Sequence, residues 1–235
     1  MSHLETDEVK ARYERRKSSI ESDRYSFLNP SVWQSVHERQ RVMLQLLARL
    51  GFTNFADTKL VEVGCGAGGN LLEFLRLGFQ PENLTGIELL EERIAQANKV
   101  LPAGVIHGGD ANSINITPAS QDIVFQSVVF SSLLDDAFQE ALAARMWEWV
   151  KPGGGGLWYD FIYNNPNNPD VRGVSVKRIR KFFPNGKLIV CRVTLAPPIA
   201  RRVCRIHPVL YSFFNVFPFL RTHVLCWIKK NKELL

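Results

Sequence analysis

The segment from Leu60 to Asn70 combines an apolar strand, a glycine-rich turn and the start of a helix, so it is well suited to bind a ligand. Apolar residues on both sides of the strand predict that both of its faces are covered. Glycine has no Cβ, so the turn can adopt unusual dihedral angles and its backbone can approach a ligand closely. The helix that begins near Gly69 would direct its unpaired amides at that ligand.

The glycine spacing fits two classes of cofactor. Gly64, Gly66 and Gly69 match the dinucleotide pattern G-x-G-x-x-G. Gly64, Gly66 and Gly68 also match the shorter G-x-G-x-G that S-adenosylmethionine sites use, with Cys65 inside the turn. The glycines alone therefore leave both classes open.

Glu62 distinguishes the two classes by its charge. A carboxylate near the carboxyl end of a buried strand is costly unless it meets a positive group. It would repel the pyrophosphate of a dinucleotide, and it would attract the ammonium and sulfonium groups of S-adenosylmethionine. The alternative is a partly exposed residue at the strand end, paired with water or with an arginine.

Two more carboxylates are predicted at the carboxyl ends of neighbouring strands, where an open α/β sheet binds its ligand. Glu88 lies twenty residues after Gly68, at the place for a carboxylate that accepts hydrogen bonds from ribose hydroxyls. We group Leu89 with it, and we assign Asp110 to the adenine amino group and the Ala111 amide to the adenine ring. The alternative for both acids is a position at the start of a helix. Three carboxylates around one crevice suit a ligand with net positive charge.

Strands and helices alternate along the chain, which predicts an α/β fold with a Rossmann-like, doubly wound sheet and right-handed crossovers. Residues 1–35 are predicted to form an N-terminal cap segment, and residues 36–235 the main domain. Strands are predicted at 59–63, 84–88, 105–106, 123–127, 157–161, 187–195 and 222–229, with a turn at 151–156 and a helical insertion at about 197–220.

Several of these segments resemble, in order and spacing, the successive motifs of class I S-adenosylmethionine-dependent methyltransferases. The resemblance implies a seven-stranded, mostly parallel sheet with an antiparallel last strand, and S-adenosylmethionine as cofactor. It also implies that Gln126 and Ser127 lie beside the methionine moiety. The family usually has hydrophobic residues or a histidine in the following stretch, and residues 130–132 lack the histidine. The segments are 60–68, 84–88, 109–111, 122–130 and 150–154.

The flanking segments resemble bacterial methyltransferases that are encoded with glycan-building enzymes of the O-antigen type. This second resemblance implies a sugar or glycan as the acceptor, with a polyprenyl diphosphate carrier as one option. The segments are 12–16, 157–166, 194–198 and 219–223.

Methyl transfer to oxygen is an in-line displacement that needs alignment, and the acceptor's proton must be removed. Asp160 ends the fifth predicted strand and is the first candidate for the base, while His37 and His107 are alternatives. The competing interpretation of Asp160 is a cap on the next turn. Tyr163 completes the catalytic candidates. Acceptor contacts are predicted for Tyr25, Asn164, Asn165 and Arg172, of which the arginine could bind a phosphate.

The net charge of +6 conceals a strong asymmetry. Between Val171 and Lys232 there are fourteen Lys and Arg residues and no Asp or Glu, while the rest of the chain carries a net charge of −8. This segregation predicts a phosphorylated substrate, an anionic membrane or nucleic acid as partner, or else a solvated basic face. Thirteen uncharged residues from Pro208 to Leu220 are flanked by arginines. They could dock on the inner face of a membrane, or pack over the sheet as a lid or dimer contact.

Composition sets further expectations. The four cysteines have neither metal-binding spacing nor a dense disulfide framework, and the first residues lack an apolar signal core. We therefore expect a cytoplasmic protein, at most peripheral at the membrane, without a metal cluster. A magnesium ion bound by carboxylates stays open, as does the oligomeric state.

Other functions stay open as well. A small-molecule or nucleic-acid methyltransferase would use the same cofactor site. Nucleic acid is disfavoured because the aromatic residues cluster as core instead of alternating with basic residues. An NAD-dependent oxidoreductase is disfavoured by Glu62. A non-catalytic membrane-surface protein would not need Glu62, Glu88 and Asp110 intact.

Overall fold

The computed structural model describes residues 2–19 and 26–231, and it describes side chains for 4–15 and 26–231. Tyr25, a predicted acceptor contact, lies outside the described residues. The strands are β1 (Leu60–Val63), β2 (Leu84–Glu88), β3 (Val105–Gly108), β4 (Gln121–Ser127), β5 (Val150–Phe161), β6 (Lys187–Leu195) and β7 (Arg221–Lys229). The helices are α1 (Ser2–Ser19), α2 (Pro30–Arg49), α3 (Gly69–Arg76), α4 (Glu91–Val100), α5 (Asp136–Trp149), α6 (Val176–Phe182), α7 (Pro197–Ile206) and α8 (Val209–Asn215).

One seven-stranded sheet has the order β3-β2-β1-β4-β5-β7-β6. Strands β1 to β5 are parallel, and β7 runs antiparallel to both β5 and β6. This topology confirms the predicted α/β class and the antiparallel last strand. The strand order reverses between β1 and β4, and ligands bind outside the carboxyl ends of strands at such a switch point.

Strand β1 is covered on both faces, as its apolar pattern predicts. All four residues of β1 are buried. Val61 and Val63 belong to a core that includes residues of α5 and α6, whereas Leu60 belongs to a second core with residues of α2 and α3. Burying each such aliphatic side chain contributes about 1.5–3 kcal/mol, so the two cores fix the positions of the strand ends.

The predicted turn at 151–156 is wrong, because these residues belong to β5. Its glycines permit close packing. A Cβ on Gly155 would lie 2.4 Å from the Trp227 ring of β7, and one on Gly154 would lie 2.6 Å from the carbonyl oxygen of Asp122. A run of glycines is a common turn signal, and here it reflects neighbours that leave no room for side chains.

Residues 197–220 form α7, α8 and the 3-10 turn Pro218–Leu220, between β6 and β7. The inner sides of α7 and α8 form a small core with Leu195, to which Val203, Cys204 and Tyr211 contribute. In the parts of the chain that the structure describes, no helix has both the length and the apolar character needed to cross a bilayer.

Helix α1 lies across the carboxyl edge of the sheet. Glu5 Oε1 accepts hydrogen bonds from the Leu134 amide at 2.8 Å and from Arg12 at 2.6 Å. Arg12 also donates to the Ser132 carbonyl at 3.2 Å. Further along the helix, Tyr13 lies 4.5 Å beneath the Arg93 guanidinium of α4. The helix therefore spans from the segment after β4 to the start of α4, while the boundary between cap and main domain stays a prediction.

Candidate active site

The glycine turn after β1 uses the conformational freedom of its glycines. Gly64, Gly66 and Gly68 have φ angles of +67°, +57° and +83°, which other residues rarely adopt. A Cβ on Gly64 would also lie 2.4 Å from a methyl group of Val129. At Gly66, by contrast, no heavy atom of the described residues other than its chain neighbours lies within 4 Å of the Cβ position. The turn thus presents bare backbone to open space at the switch point.

Glu62 is fully buried at the end of β1. Its Oε1 accepts a hydrogen bond from Asn70 Nδ2 at 2.6 Å, and its Oε2 has no hydrogen-bond partner among the described residues. Burial raises the pKa of this carboxyl group from 4.5 to about 8. The alternative of an arginine partner is met only indirectly, because Arg39 donates to Asn70 Oδ1 at 2.8 Å. A buried acceptor without a partner is costly, and an ammonium group would satisfy it.

Glu88 fastens the end of β2 to the glycine turn. Its Oε2 accepts from the Gly66 amide at 2.8 Å, and its Oε1 accepts from the Leu89 and Leu90 amides at 2.9 Å each. A carboxylate has about four acceptor sites, so these bonds leave room for about one more donor. Contact with the ribose hydroxyls stays a prediction, and it requires the free site or an exchange of partners.

The described residues have no helix directly after Asp110, so it is not a helix cap; its Oδ1 accepts from the Asn112 amide at 2.9 Å and closes a turn. Beside it, Ala111 and Leu89 lie half-buried against the same core that Val9 and Tyr13 of α1 join. These side chains lie along an apolar zone at the carboxyl ends of β2 and β3, beneath α1. An adenine ring fits the chemistry of such a zone, and the assigned contacts stay predictions.

Two predicted cofactor residues have side chains committed to the protein itself. Gln126 is fully buried; its Nε2 donates to the Tyr159 carbonyl at 3.2 Å, and its Oε1 accepts from the Val129 amide at 3.0 Å. The Cys65 side chain is also buried in the core. Only backbone atoms of these two residues are then available to a cofactor. Ser127 is half-buried, and its Oγ accepts from Arg39 Nη1 at 3.3 Å.

Backbone strain marks the same edge of the sheet. Val128 follows β4 with a φ of +53°, and Thr194 near the end of β6 has a φ of +64°. Both residues are β-branched, for which positive φ is a genuine outlier that costs about 1–3 kcal/mol. Such strain concentrates at functional sites, and these two positions lie on the half of the sheet away from Glu88.

Asp160, the first candidate for the base, has no exposed surface. Its Oδ2 accepts from the Ser131 amide at 3.1 Å and its Oδ1 from the Phe161 amide at 2.9 Å. Burial raises the pKa of this carboxyl group to about 7. The pKa suits a base at neutral pH, but the 3-10 turn Phe130–Ser132 would have to move before an acceptor could reach the carboxylate.

The predicted acceptor residues after β5 are exposed in part, and each has a partner. The Tyr163 hydroxyl accepts from Arg192 Nη1 at 2.9 Å. Asn164 and Asn165 accept from the backbone amides of residues 173 and 167, at 2.9 and 3.1 Å. Arg172 pairs with Asp136. The acceptor roles of these residues stay predictions.

The two histidine candidates lie far apart. His107 is in β3, the outermost strand on one side and four strands from β5. His37 is exposed on α2, where it lines a cavity of about 200 Å³ between α2 and α8. Only His37 therefore lies on the side of the sheet that holds β5, β7 and β6.

This cavity was not predicted from the sequence. Its wall on α2 is a polar stripe, Gln34, His37, Glu38 and Arg41, at the spacing of one helical face. Asn215 of α8 also lines it, is 8% exposed, and has an Oδ1 without a hydrogen-bond partner among the described residues. The stripe was visible in the sequence, but only the fold shows that α8 faces it.

Helix α2 connects this cavity to the glycine turn. Glu38 Oε2 accepts from the Tyr211 hydroxyl at 2.6 Å and from the Thr194 amide at 3.0 Å. The next residue, Arg39, reaches Asn70 and Ser127, and its guanidinium lies 5.2 Å from the centroid of the Tyr159 ring. Sequence analysis missed Arg39, because nothing in the α2 pattern indicates which strands it crosses.

Within the described residues, no group of three or more His, Cys, Asp and Glu side chains is close enough to hold a metal ion. The expectation that no metal is bound stays a prediction.

Comparison with known proteins agrees with this geometry. Residues 60–154 match the family described as "Methyltransferase domain". No curated protein matches the chain in sequence. The match to a methyltransferase domain favours this class over the NAD-dependent oxidoreductase.

Solved structures show the same fold at low identity. An S-adenosylmethionine-dependent methyltransferase from Mesorhizobium loti aligns with a TM-score of 0.58 and 14% identity over 79% of this chain and 96% of that one. Phosphoethanolamine N-methyltransferase 1 from Haemonchus contortus, solved with phosphoethanolamine and S-adenosylhomocysteine, aligns with a TM-score of 0.66 and 11% identity over 100% of this chain and 51% of that one. The cyclase SpnF aligns with a TM-score of 0.59 and 13% identity over 82% and 81%. Residues 60–154 therefore match a methyltransferase domain, and the chain shares its fold with S-adenosylmethionine-dependent methyltransferases.

Proposed function

We propose that the protein transfers a methyl group from S-adenosylmethionine to a hydroxyl oxygen of a sugar or glycan, including a glycan carried on a lipid. The observation that carries the donor half is the buried Glu62 Oε2, which lacks a partner among the described residues. A cationic ammonium group at this oxygen would favour the ionised carboxylate and offset its desolvation. When bound, the cofactor supplies a methyl group already activated on a sulfonium. We assign Glu88 to the ribose, and Asp110 and Ala111 to the adenine.

The cavity between α2 and α8 supports a hydroxyl-rich acceptor. Each sugar hydroxyl both donates and accepts a hydrogen bond. The cavity wall offers both kinds of partner, because Gln34 and Asn215 carry amides and Glu38 carries a carboxylate. The unpartnered Asn215 Oδ1 is an acceptor that a hydroxyl would satisfy. An apolar acceptor would leave these groups desolvated without compensation.

His37 is then the favoured base among the three catalytic candidates. It lines the cavity, whereas Asp160 lies beneath the 3-10 turn Phe130–Ser132. Tyr163 is occupied by Arg192. A neutral imidazole would accept the hydroxyl proton as the new carbon–oxygen bond forms.

A label-transfer assay tests the proposal. The full chain, with S-adenosylmethionine labelled in its methyl group, is incubated with nucleotide sugars and with polyprenyl-diphosphate-linked oligosaccharides, and products are identified by mass spectrometry. We expect an O-methylated sugar, and a loss of at least tenfold in kcat for His37→Ala. Gln45→Ala, an exposed position on the same helix, is the matched control. Transfer only to amines or nucleic acid would overturn the proposal.

A small phosphorylated acceptor is the second candidate. Arg41 lines the same cavity, and its guanidinium makes no hydrogen bond or ion pair within the described residues. A phosphate would pair well with this group. The neighbour from Haemonchus contortus is named for such an acceptor, phosphoethanolamine. Adding phosphoethanolamine to the assay separates the candidates, because its methylation with no labelled sugar would favour the second.

A further inference from the structure

The outer sides of α7, α8 and the 3-10 turn that follows them carry an unusual number of exposed apolar side chains. On α8 and at the residue that ends it, Val209, Phe213 and Val216 are 63%, 59% and 67% exposed. They recur at the spacing of one helical face. We call the full set the α7–α8 surface: Arg202, Arg205, Ile206, Val209, Phe213, Val216, Phe217 and Phe219.

Within residues 2–19 and 26–231, no element covers this surface. The opposite sides of the two helices are already buried, through Val203, Cys204 and Tyr211. Ile206 and Phe219 are 78% and 75% exposed. Single exposed apolar residues are ordinary, but clustered ones indicate a binding surface.

The charge of the surface selects among partners. Arg202 and Arg205 are exposed, and they precede Ile206 by four positions and one on α7, so cationic and apolar groups share the outer side of the chain. No Asp or Glu occurs from 171 to 232. Anionic lipids would therefore meet no repulsive charge from this segment. Nucleic acid would leave the aliphatic side chains exposed, and a second copy would bring the same arginines together.

We propose that the α7–α8 surface binds the surface of an anionic lipid bilayer. The apolar side chains enter the boundary between headgroups and acyl chains, and Arg202 and Arg205 bind lipid phosphates, as in other interfacial helices. Val216 belongs both to this surface and to the lining of the α2–α8 cavity. The cavity therefore adjoins the surface that would face the membrane. Membrane binding itself requires neither methyl transfer nor a glycan acceptor.

Vesicle flotation of the full chain tests this proposal without any acceptor. We expect the protein to float with vesicles of phosphatidylcholine and phosphatidylglycerol, and much less with phosphatidylcholine alone. Binding should weaken at high salt, because ions screen the arginines. Each basic residue near an anionic surface contributes about fivefold to partitioning, so Arg202→Gln with Arg205→Gln should lower binding roughly 20-fold.

Matched variants separate the surface from general hydrophobicity. Phe213→Ser with Phe219→Ser removes two exposed aromatic side chains and should abolish flotation. Leu28→Ser with Val105→Ser removes two apolar side chains that are 93% and 48% exposed elsewhere, and it should leave flotation unchanged. Unchanged affinity for S-adenosylhomocysteine shows that each variant folds.

Three results would overturn the proposal. The first is no flotation with anionic vesicles at low salt. The second is equal flotation of the Phe213 and Phe219 variant and the parent protein. The third is that another partner occupies the surface. This would be a dimer seen by light scattering, or an oligonucleotide complex seen by gel shift, that forms even in the presence of anionic vesicles. The complex would be lost in the Phe213→Ser and Phe219→Ser variant.

Discussion

Replacing Glu62 with glutamine tests the electrostatic basis of cofactor binding. The probe is S-adenosylhomocysteine, which keeps the ammonium group and lacks the sulfonium charge. An ammonium about 4 Å from a carboxylate gains about 4 kcal/mol at an effective dielectric constant of 20. The carboxyl group has a pKa of about 8, so ionising it at pH 7 costs about 1.4 kcal/mol. The net loss in Glu62→Gln is therefore about 2–3 kcal/mol, or roughly 100-fold in Kd.

The same substitution should also change how the free energy of unfolding depends on pH. The folded pKa lies above the ordinary value of 4.5, so the native state holds a proton that the unfolded state has released. Stability of the parent protein is therefore lost as pH rises from 4.5 towards 8, by about 1.4 kcal/mol per pH unit. Glu62→Gln has no such dependence. Its unpartnered amide costs about 1–3 kcal/mol, so its relative stability rises from pH 5 to pH 8.

Calorimetric titration measures the first effect and urea unfolding the second. From pH 7 to pH 6 the parent protein should lose about tenfold in affinity, because a smaller fraction of Glu62 is ionised, and the variant should not change. Glu73→Gln is the matched control. Glu73 Oε2 lies 3.2 Å from Arg39, but the buried oxygen without a partner among the described residues belongs to Glu62. Equal affinities of Glu62→Gln and the parent, or equal pH slopes of stability, would refute the reasoning.

Further predictions concern the turn, the cap and the buried histidine. Gly64→Ala should lower the Tm more than Gly66→Ala, because only the first adds a clash to the strain of positive φ; thermal unfolding in which Gly66→Ala is the more damaging would contradict this. Arg12→Ala leaves Glu5 buried without its ion pair and should destabilise the attachment of α1 by about 3 kcal/mol. Hydrogen exchange would detect this as reduced protection of the α1 amides. Unchanged protection would argue that Arg12 does not hold α1 in place. Burial lowers the pKa of His223 to about 4, so stability should fall as pH drops from 6.5 towards 4, and His223→Phe should flatten that slope; a parallel slope would count against it.

Short segments of the sequence were enough to predict the elements on the proposed cofactor side of the molecule. The strand, the turn and the helix around Gly66 are consecutive in the chain, from 60 to 76, and each acid lies near or just after the end of a predicted strand. Parallel topology then brings those strand ends together without further information. The side-chain partners were less predictable. Glu88 is held by three amides and Gln126 by two backbone groups, because the carboxyl edge supplies local donors and acceptors that sequence spacing does not reveal.

The acceptor half depends on contacts between distant segments. Glu38 meets Thr194 and Tyr211, more than 150 positions away in the chain. A buried carboxylate in the middle of α2 has no local signature, since a polar residue in an amphipathic helix is ordinarily exposed. The glycine run before Leu157 led to the wrong prediction of a turn for a related reason. Its cause is the Trp227 ring on a strand more than 60 positions later, so only the three-dimensional packing distinguishes it from a turn.

The cofactor side and the cavity side of the molecule both contact helix α2. Arg39 reaches the glycine turn through Asn70, and Glu38 reaches the cavity wall through Tyr211. A helix with packed side chains moves as a unit, so a shift that relaxes one contact also displaces the other. Asn70 is the only donor to Glu62 among the described residues, so a ligand group that bonds to Glu62 would change the position of Asn70 and with it the contact to Arg39. We expect donor binding to be coupled to the shape of the cavity through α2, and by linkage the acceptor would then change the donor's affinity by the same factor.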